Sequence, residues 1–237
     1  MVKHSKDLSG HEFVINISNL HKYYRSEGME YHALKGINFS VKRGEYVSVI
    51  GPSGAGKSTL LHVMGLFDDF DSGTYLLDGL DVKTLNEAEK AKIRSKKIGF
   101  VFQMFYLVPS MRVLDNIILP GLLIDRDRQE LEDVALSIAE RFGIKDILHK
   151  NPNKISGGQM QRVAVSRALI NNPSLILADE PTGNLDSKSG AAVLDLFKQL
   201  HEEGKTIVMI THDMNVARRA QRTVRILDGV LSDFKHA

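Results

Sequence analysis

The chain has no cysteine. Disulfides and thiolate metal sites are therefore excluded, and the absence fits a reducing compartment. It also lacks a charge excess. Its 31 basic and 29 acidic residues give a formal net charge of +2, which is no electrostatic footprint for nucleic acid. No apolar run approaches the about eighteen residues that a membrane-spanning helix needs. Any membrane role must then come through a partner. Residues 1–11 are polar, without the apolar stretch of a secretory signal, and read as a loose tail. There is no internal repeat and no low-complexity segment.

What is present is 237 residues, enough for one good-sized domain or two small ones. A chain of that length buries most of its unfolded surface and needs no covalent staple. One stretch organises it: Gly51-Pro52-Ser53-Gly54-Ala55-Gly56-Lys57-Ser58. The apolar, β-branched Tyr46-Val47-Ser48-Val49-Ile50 precedes it. Thr59-Leu60-Leu61-His62-Val63-Met64 follows, with Leu60 and Met64 spaced to share one helix face. Strand, glycine loop and helix are the context of a phosphate-binding loop. The glycines let backbone N–H groups curl inward, and the helix start adds partial positive charge. Lys57 can reach the β- and γ-phosphates, and the Ser58 hydroxyl can hold Mg²⁺. The chain is expected to bind a nucleoside triphosphate.

In chain order, Phe13, Ile15 and Ile17 alternate as a half-buried strand, and Leu34, Ile37, Phe39 and Val41 mark a second β region after a turn at Gly28. Tyr23 and Tyr24 lie between them, as surface packing or as a face on which a base can stack. Residues 74–79 read as a strand into a turn, 86–96 as a charged helix, and Ile98–Phe102 as a buried strand ending at Gln103. From Met104 to about Arg167 the signals turn helical. Leu131, Val134, Ala135, Ile138 and Phe142 share a face, with Gly143 at the C-cap position. Ser156-Gly157-Gly158-Gln159 opens another helix, either as a second anion nest or as a plain serine cap.

Ser174–Ala178 is a continuous apolar run, as a central parallel strand requires, and it ends in Asp179-Glu180. A carboxylate at that edge, beside a phosphate loop, is where Mg²⁺ is held. Asp179 is the better candidate for the metal, and Glu180 for accepting a proton from an attacking water. Residues 188–203 read as a helix and Thr206–Ile210 as a strand ending at Thr211-His212-Asp213. A histidine there is structural or functional, and its place at a strand exit favours function. Asp228-Gly229 between Thr223–Leu227 and Val230-Leu231 signals a hairpin.

Together these pieces resemble the ATP-binding-cassette (ABC) ATPase family, from about Phe13 to Leu231. The ordered set is Tyr24, the Gly51–Ser58 loop, Gln103, Ile155-Ser156-Gly157-Gly158-Gln159, Asp179-Glu180, Asp186 and His212. Ile155 stands where the family usually has leucine. The resemblance implies an α/β fold: a P-loop NTPase core with an antiparallel β subdomain and an inserted helical subdomain. It implies ATP and Mg²⁺ as cofactors. Gly51, Ser53, Gly54, Ala55, Gly56, Lys57, Ser58 and Thr59 would hold the phosphates, and Tyr24 would stack on adenine. Ser58, Gln103 and Asp179 would serve the metal. Glu180, His212, Gln103 and Lys57 would be catalytic, with Glu180 the general base and His212 on the γ-phosphate. Ser156, Gly157, Gly158 and Gln159 would bind nucleotide held by a second copy of the chain, with Asp186 at the shared interface.

Residues 100–109, 115–120 and 178–187, above all Pro181-Thr182-Gly183-Asn184-Leu185-Asp186, are similar to the lipoprotein-release, macrolide-efflux and cell-division subgroup (LolD, MacB and FtsE types). The implied division is a tail at 1–11 and one domain at 12–237, with its core at 12–103 and 168–237 and a helical subdomain at about 104–167. The implied partners are a second copy, in an ATP-dependent head-to-tail dimer, and permease subunits on separate chains. The implied place is the cytoplasmic face of the cell membrane. The partner surface is expected near Gln103–Pro109, with Phe105, Tyr106 and Leu107 against a membrane protein's coupling helix, or else simply joining subdomain to core. An ATP-gated interaction module for a division or cell-wall complex, with no transported substrate, is the alternative.

Overall fold

The computed structural model describes residues 12–26 and 28–234. The expected N-terminal tail lies outside the described residues. Two sheets organise the chain. The smaller is antiparallel, in the order β2 (Met29–Lys42), β1 (Phe13–Ser26), β4 (Ser72–Leu77), β5 (Leu80–Asp81). The larger runs β10 (Val230–Phe234), β9 (Arg222–Leu227), β3 (Tyr46–Ile50), β8 (Thr206–Thr211), β7 (Leu175–Asp179), β6 (Ile98–Phe102). Its strands are parallel except β10, which pairs antiparallel with β9.

The strands β3 and β8 are buried along their whole length, as apolar runs covered on both faces must be. Side chains of β3, β7 and β8 alternate between two apolar cores. Val47, Val49, Leu175 and Leu177 pack toward the small sheet, with α1 (Lys57–Met64) between. Tyr46, Ile176, Ala178 and Met209 pack toward α5 (Gly157–Leu169) and α6 (Ser187–Glu202). Register then fixes function. Phe102 pairs with Asp179, Asp179 with Ile210, and Ile50 with Thr211. Four strands therefore end in line, and Gly51, Gln103, Glu180 and His212 begin the loops at one edge of the sheet.

Asp78 ties the small sheet to the large one. It is almost fully buried in the β4–β5 turn and accepts hydrogen bonds from Arg43 Nη2 at 2.7 Å, Lys97 Nζ at 2.6 Å and Ser174 Oγ at 2.9 Å. Burial pushes its pKa up, but the Lys97, Ser174 and Arg43 bonds outweigh that and hold it below the usual carboxylate range.

The structure departs from the pattern in two places. The first strand does not stop at Ile17. It continues to Ser26 through three bulges, with Asn19 at φ 46°, so Tyr23 and Tyr24 lie within it. Each bulge resets the alternation, which is why the pattern looked broken. The helical block is also interrupted. It holds α3 (Val113–Leu122), α4 (Arg128–Arg141) and α5, but residues 104–112 are loop. Buried Asn116 holds that loop. Its Oδ1 accepts from Val108 N at 2.7 Å, and its Nδ2 donates to the carbonyls of Val108, Met111 and Arg112. The remaining helices are α2 (Glu87–Lys97), capped by Asn86, and the short α7 (Met214–Ala217).

Candidate active site

The glycine loop is shaped by close approach. A Cβ on Gly51 would lie 2.3 Å from the Ile226 carbonyl oxygen, and one on Gly56 would lie 2.9 Å from that of Ala33. Gly56 also has φ 104°, which side chains avoid. The β9–β10 turn braces the loop from behind, with Gly229 N donating to Ala55 O at 3.0 Å. Lys57 Nζ turns back onto the carbonyls of Gly51 at 2.7 Å and Pro52 at 2.9 Å. Its charge is thereby held at the mouth of the loop. The first turn of α1 has no side-chain cap and no acidic residue. Backbone donors and a cation bonded to carbonyls, with no acidic residue in the first turn of the helix, suit a polyphosphate.

A cavity of about 570 Å³ opens over this loop. Ser53, Gly54, Gly56, Lys57, Ser58, Thr59, Gln103, Asp179, Glu180 and His212 line it together. Four stretches distant in sequence thus converge there. Glu180 sits at φ 43°, its N–H bonded to Ile210 O. Its Oε1 accepts from the His212 backbone N–H at 2.9 Å and lies 2.6 Å from His212 Nδ1, and its Oε2 accepts from Thr211 Oγ1 at 3.1 Å. The carboxylate is oriented from three sides. A proton on His212 Nδ1 makes that contact a hydrogen bond. Asp179 behaves differently. Burial and the neighbouring Glu180 charge raise its pKa, against the lowering effect of His62 and Lys57.

The metal test is one of chemistry. Among the described residues there is no group of three His, Cys, Asp or Glu able to hold an ion unaided. A serine hydroxyl, an amide oxygen and one or two carboxylates suit a hard cation that takes its other ligands from phosphate and water, as Mg²⁺ does. The residues present fit it.

Other expected residues stand apart from this cavity. Tyr24 lies beside it, 40% exposed, with its hydroxyl donating to Asp68 Oδ2 at 2.7 Å. Ser156 Oγ caps α5 by accepting from Gln159 N at 3.3 Å, while Gln159 Oε1 accepts from Ser156 N at 3.0 Å. The serine-cap geometry is realised, and both bonds use side-chain oxygens as acceptors, leaving the side-chain donors out of the cap. Asp186 likewise caps α6, accepting from Ser189 N at 3.0 Å. Sequence reasoning missed Tyr31, which lines the cavity, Thr211, which holds Glu180, and Asn184, whose Oδ1 accepts from Gln103 Nε2 at 3.2 Å. Thr211 and Asn184 were legible only as neighbours of residues already singled out. Tyr31 needed the strand register.

A family model described as "ABC transporter" matches residues 34–183. The chain is 46% identical over 229 residues to the uncharacterised ABC transporter ATP-binding protein YvrO of Bacillus subtilis, covering 94% of this chain and all of the relative. It is 43% identical to the lipoprotein-releasing system ATP-binding protein LolD of Aquifex aeolicus, over 91% of this chain and 95% of that one. Among solved structures, the dimer of the bacterial ABC transporter cassette MJ0796 aligns with a TM-score of 0.84 at 42% identity, over 94% of this chain and all of that one. The same cassette has been solved as a post-hydrolysis dimer bound to ADP and Pi. The chain belongs to the ABC transporter family, as one of its ATP-binding proteins with the ABC ATPase fold.

Proposed function

We propose that this ATP-binding protein hydrolyses ATP between two of its own copies and passes the resulting movement to a separate membrane permease. The observation that carries the reading is the convergence of the phosphate loop, Asp179, Glu180 and His212 around one cavity. Lys57 and the α1 N–H groups bind the β- and γ-phosphates, and Tyr24 stacks on the adenine. Ser58, Gln103 and Asp179 hold Mg²⁺, which when bound neutralises charge developing on the phosphates. Water attacks the γ-phosphorus and the bond to the β-phosphate oxygen breaks. Glu180 takes the proton, and His212 steers Glu180 and contacts the γ-phosphate. ADP and phosphate leave. Ser156, Gly157, Gly158 and Gln159 of one copy cover the γ-phosphate bound by the other, with Asp186 at the shared face. The ADP- and Pi-bound dimer of MJ0796, a protein of the same fold, supports this arrangement.

In this reading residues 12–103 and 168–237 form the core and about 104–167 the helical subdomain. Where they meet, an apolar cavity of about 400 Å³ is lined by Phe67, Phe100, Phe102, Tyr106, Pro120 and Arg167. Tyr106 is 65% exposed there, whereas Leu107 packs into the helical core. A permease's coupling helix fits this groove. Among the described residues no helix is long and apolar enough to cross a membrane. Bound to a permease, the chain would sit peripherally on the cytoplasmic face. The likeness to LolD favours lipoprotein release or export as the work done. The test is phosphate release from the purified chain with ATP and Mg²⁺, followed by mild-detergent pull-down from native membranes. Hydrolysis and recovery of a permease with few helices support the reading; no hydrolysis under any nucleotide or metal condition, alone or with the permease, contradicts it.

A further inference from the structure

We propose that Tyr31 is a nucleotide contact, forming the wall over the sugar and α-phosphate between the Tyr24 shelf and the phosphate loop. This inference rests on the nucleotide reading above. Tyr31 lies in β2, directly opposite Tyr24 in β1. Opposed residues of an antiparallel pair project from the same face, so the two side chains leave the sheet on one side. Their neighbours in the register, Tyr23 and His32, stack on each other with ring centroids 4.0 Å apart. That stack belongs to the alternate face, and Lys22 Nζ lies over the Tyr24 ring, 4.9 Å from its centroid.

The two hydroxyls have different partners. Tyr24 bonds Asp68 and the side chain of Thr59. Tyr31 reaches inward, and its hydroxyl donates to the Gly54 carbonyl at 3.3 Å. It joins Ser53, Gly54 and Lys57 in lining the cavity. Tyr31 belongs to neither apolar core and is 56% exposed, so packing does not account for an aromatic here. A base on Tyr24 and phosphates along Gly54–Ser58 leave the sugar and α-phosphate between them, and this is the span that the Tyr31 ring crosses. The ligand recognised is a nucleotide, with no discrimination between bases at this residue.

The experiment is calorimetric binding of ATP, GTP and inorganic tripolyphosphate, each with Mg²⁺, to the full chain and its Tyr31→Ala and Tyr31→Phe variants. Exposure of the side chain means that neither change opens a core. Tyr31→Ala should weaken ATP and GTP alike by about tenfold and leave tripolyphosphate within about twofold, because only the nucleosides carry the sugar that the ring covers. Tyr31→Phe, which keeps the ring, should stay within about threefold of wild type for all three. Unchanged ATP affinity in Tyr31→Ala overturns the inference. So does an equal loss for ATP and tripolyphosphate, which would make Tyr31 a brace for the phosphate loop alone. Failure of the wild-type chain to bind ATP while binding tripolyphosphate would instead overturn the nucleotide reading beneath it.

Discussion

Two helix starts in this molecule are built from the same materials and finished differently. Both the Gly51–Ser58 loop and the Ser156–Gln159 turn put small residues at the N-terminus of a helix. At the first, the chain brings everything else: Lys57 over the loop, Asp179 and Glu180 from a strand exit, His212 and Gln103 from two more. At the second, the side chains of Ser156 and Gln159 bond to each other's backbone. Gly157 has only Leu185 and Phe105 near it, at 3.5 and 4.0 Å from where a Cβ would stand. In the proposed reading one is a complete phosphate site and the other half of one. A half-site on a surface makes chemical sense if a second molecule supplies the phosphate, and this is what distinguishes a shared site from a structural cap.

The largest effect expected from breaking this contrast is at the complete site. Glu180→Gln should retain ATP binding but lower phosphate release about a thousandfold, because the base is gone and the phosphate contacts remain. Lys57→Ala should instead lose ATP affinity, by about a hundredfold in direct binding. At the half-site, Ser156→Arg should leave a single chain's ATP affinity within about threefold while cutting turnover about a hundredfold, since the γ-phosphate loses its second set of donors. If Ser156→Arg weakened binding to the isolated chain as much as turnover, the contrast would fail.

A smaller effect lies in the link between the two regions. Gln161, buried one turn into α5, donates from Nε2 to Pro181 O at 2.8 Å and to Phe102 O at 3.4 Å. It joins the helix that begins at Ser156 to the residues flanking Glu180 and Gln103. Gln161→Leu should lower kcat about tenfold with KM little changed. A rise in KM with normal kcat would show that the link serves binding. The smallest effect on catalysis, read as stability, is at Asp78. Its folded pKa is depressed, so its contribution is present above the ordinary carboxylate range and is lost as pH falls through the folded value. Asp78→Asn should cost about 2 kcal/mol in neutral denaturant unfolding and flatten the loss of stability below about pH 4. An equal acid slope in variant and wild type would remove Asp78 from that role.

Much of this was legible in the sequence because the chemistry sits where local patterns end. The run Leu175–Ala178 announces a buried strand, so Asp179 and Glu180 fall at its exit without any tertiary information. The Ser156 cap and the Asp228–Gly229 turn are equally local. What was not legible depends on long-range pairing. The bulges in β1 hide its true length, and only the β1–β2 register brings Tyr31 opposite Tyr24. The loop at residues 104–112 looked helical because its apolar residues are real. It is held open by one buried amide, that of Asn116, whose four bonds no periodicity encodes. The Glu180–His212–Thr211 cluster likewise joins residues about thirty positions apart through the β7–β8 register.

The central claim is that each ATP is held between the complete site of one copy and the half-site of another. The most direct test is the molar mass of the Glu180→Gln chain by light scattering on a sizing column, with and without ATP, beside the Glu180→Gln, Ser156→Arg double variant. The shared site predicts a dimer only with ATP in the first and a monomer under both conditions in the second. A double variant that dimerises with ATP as well as Glu180→Gln alone would contradict it.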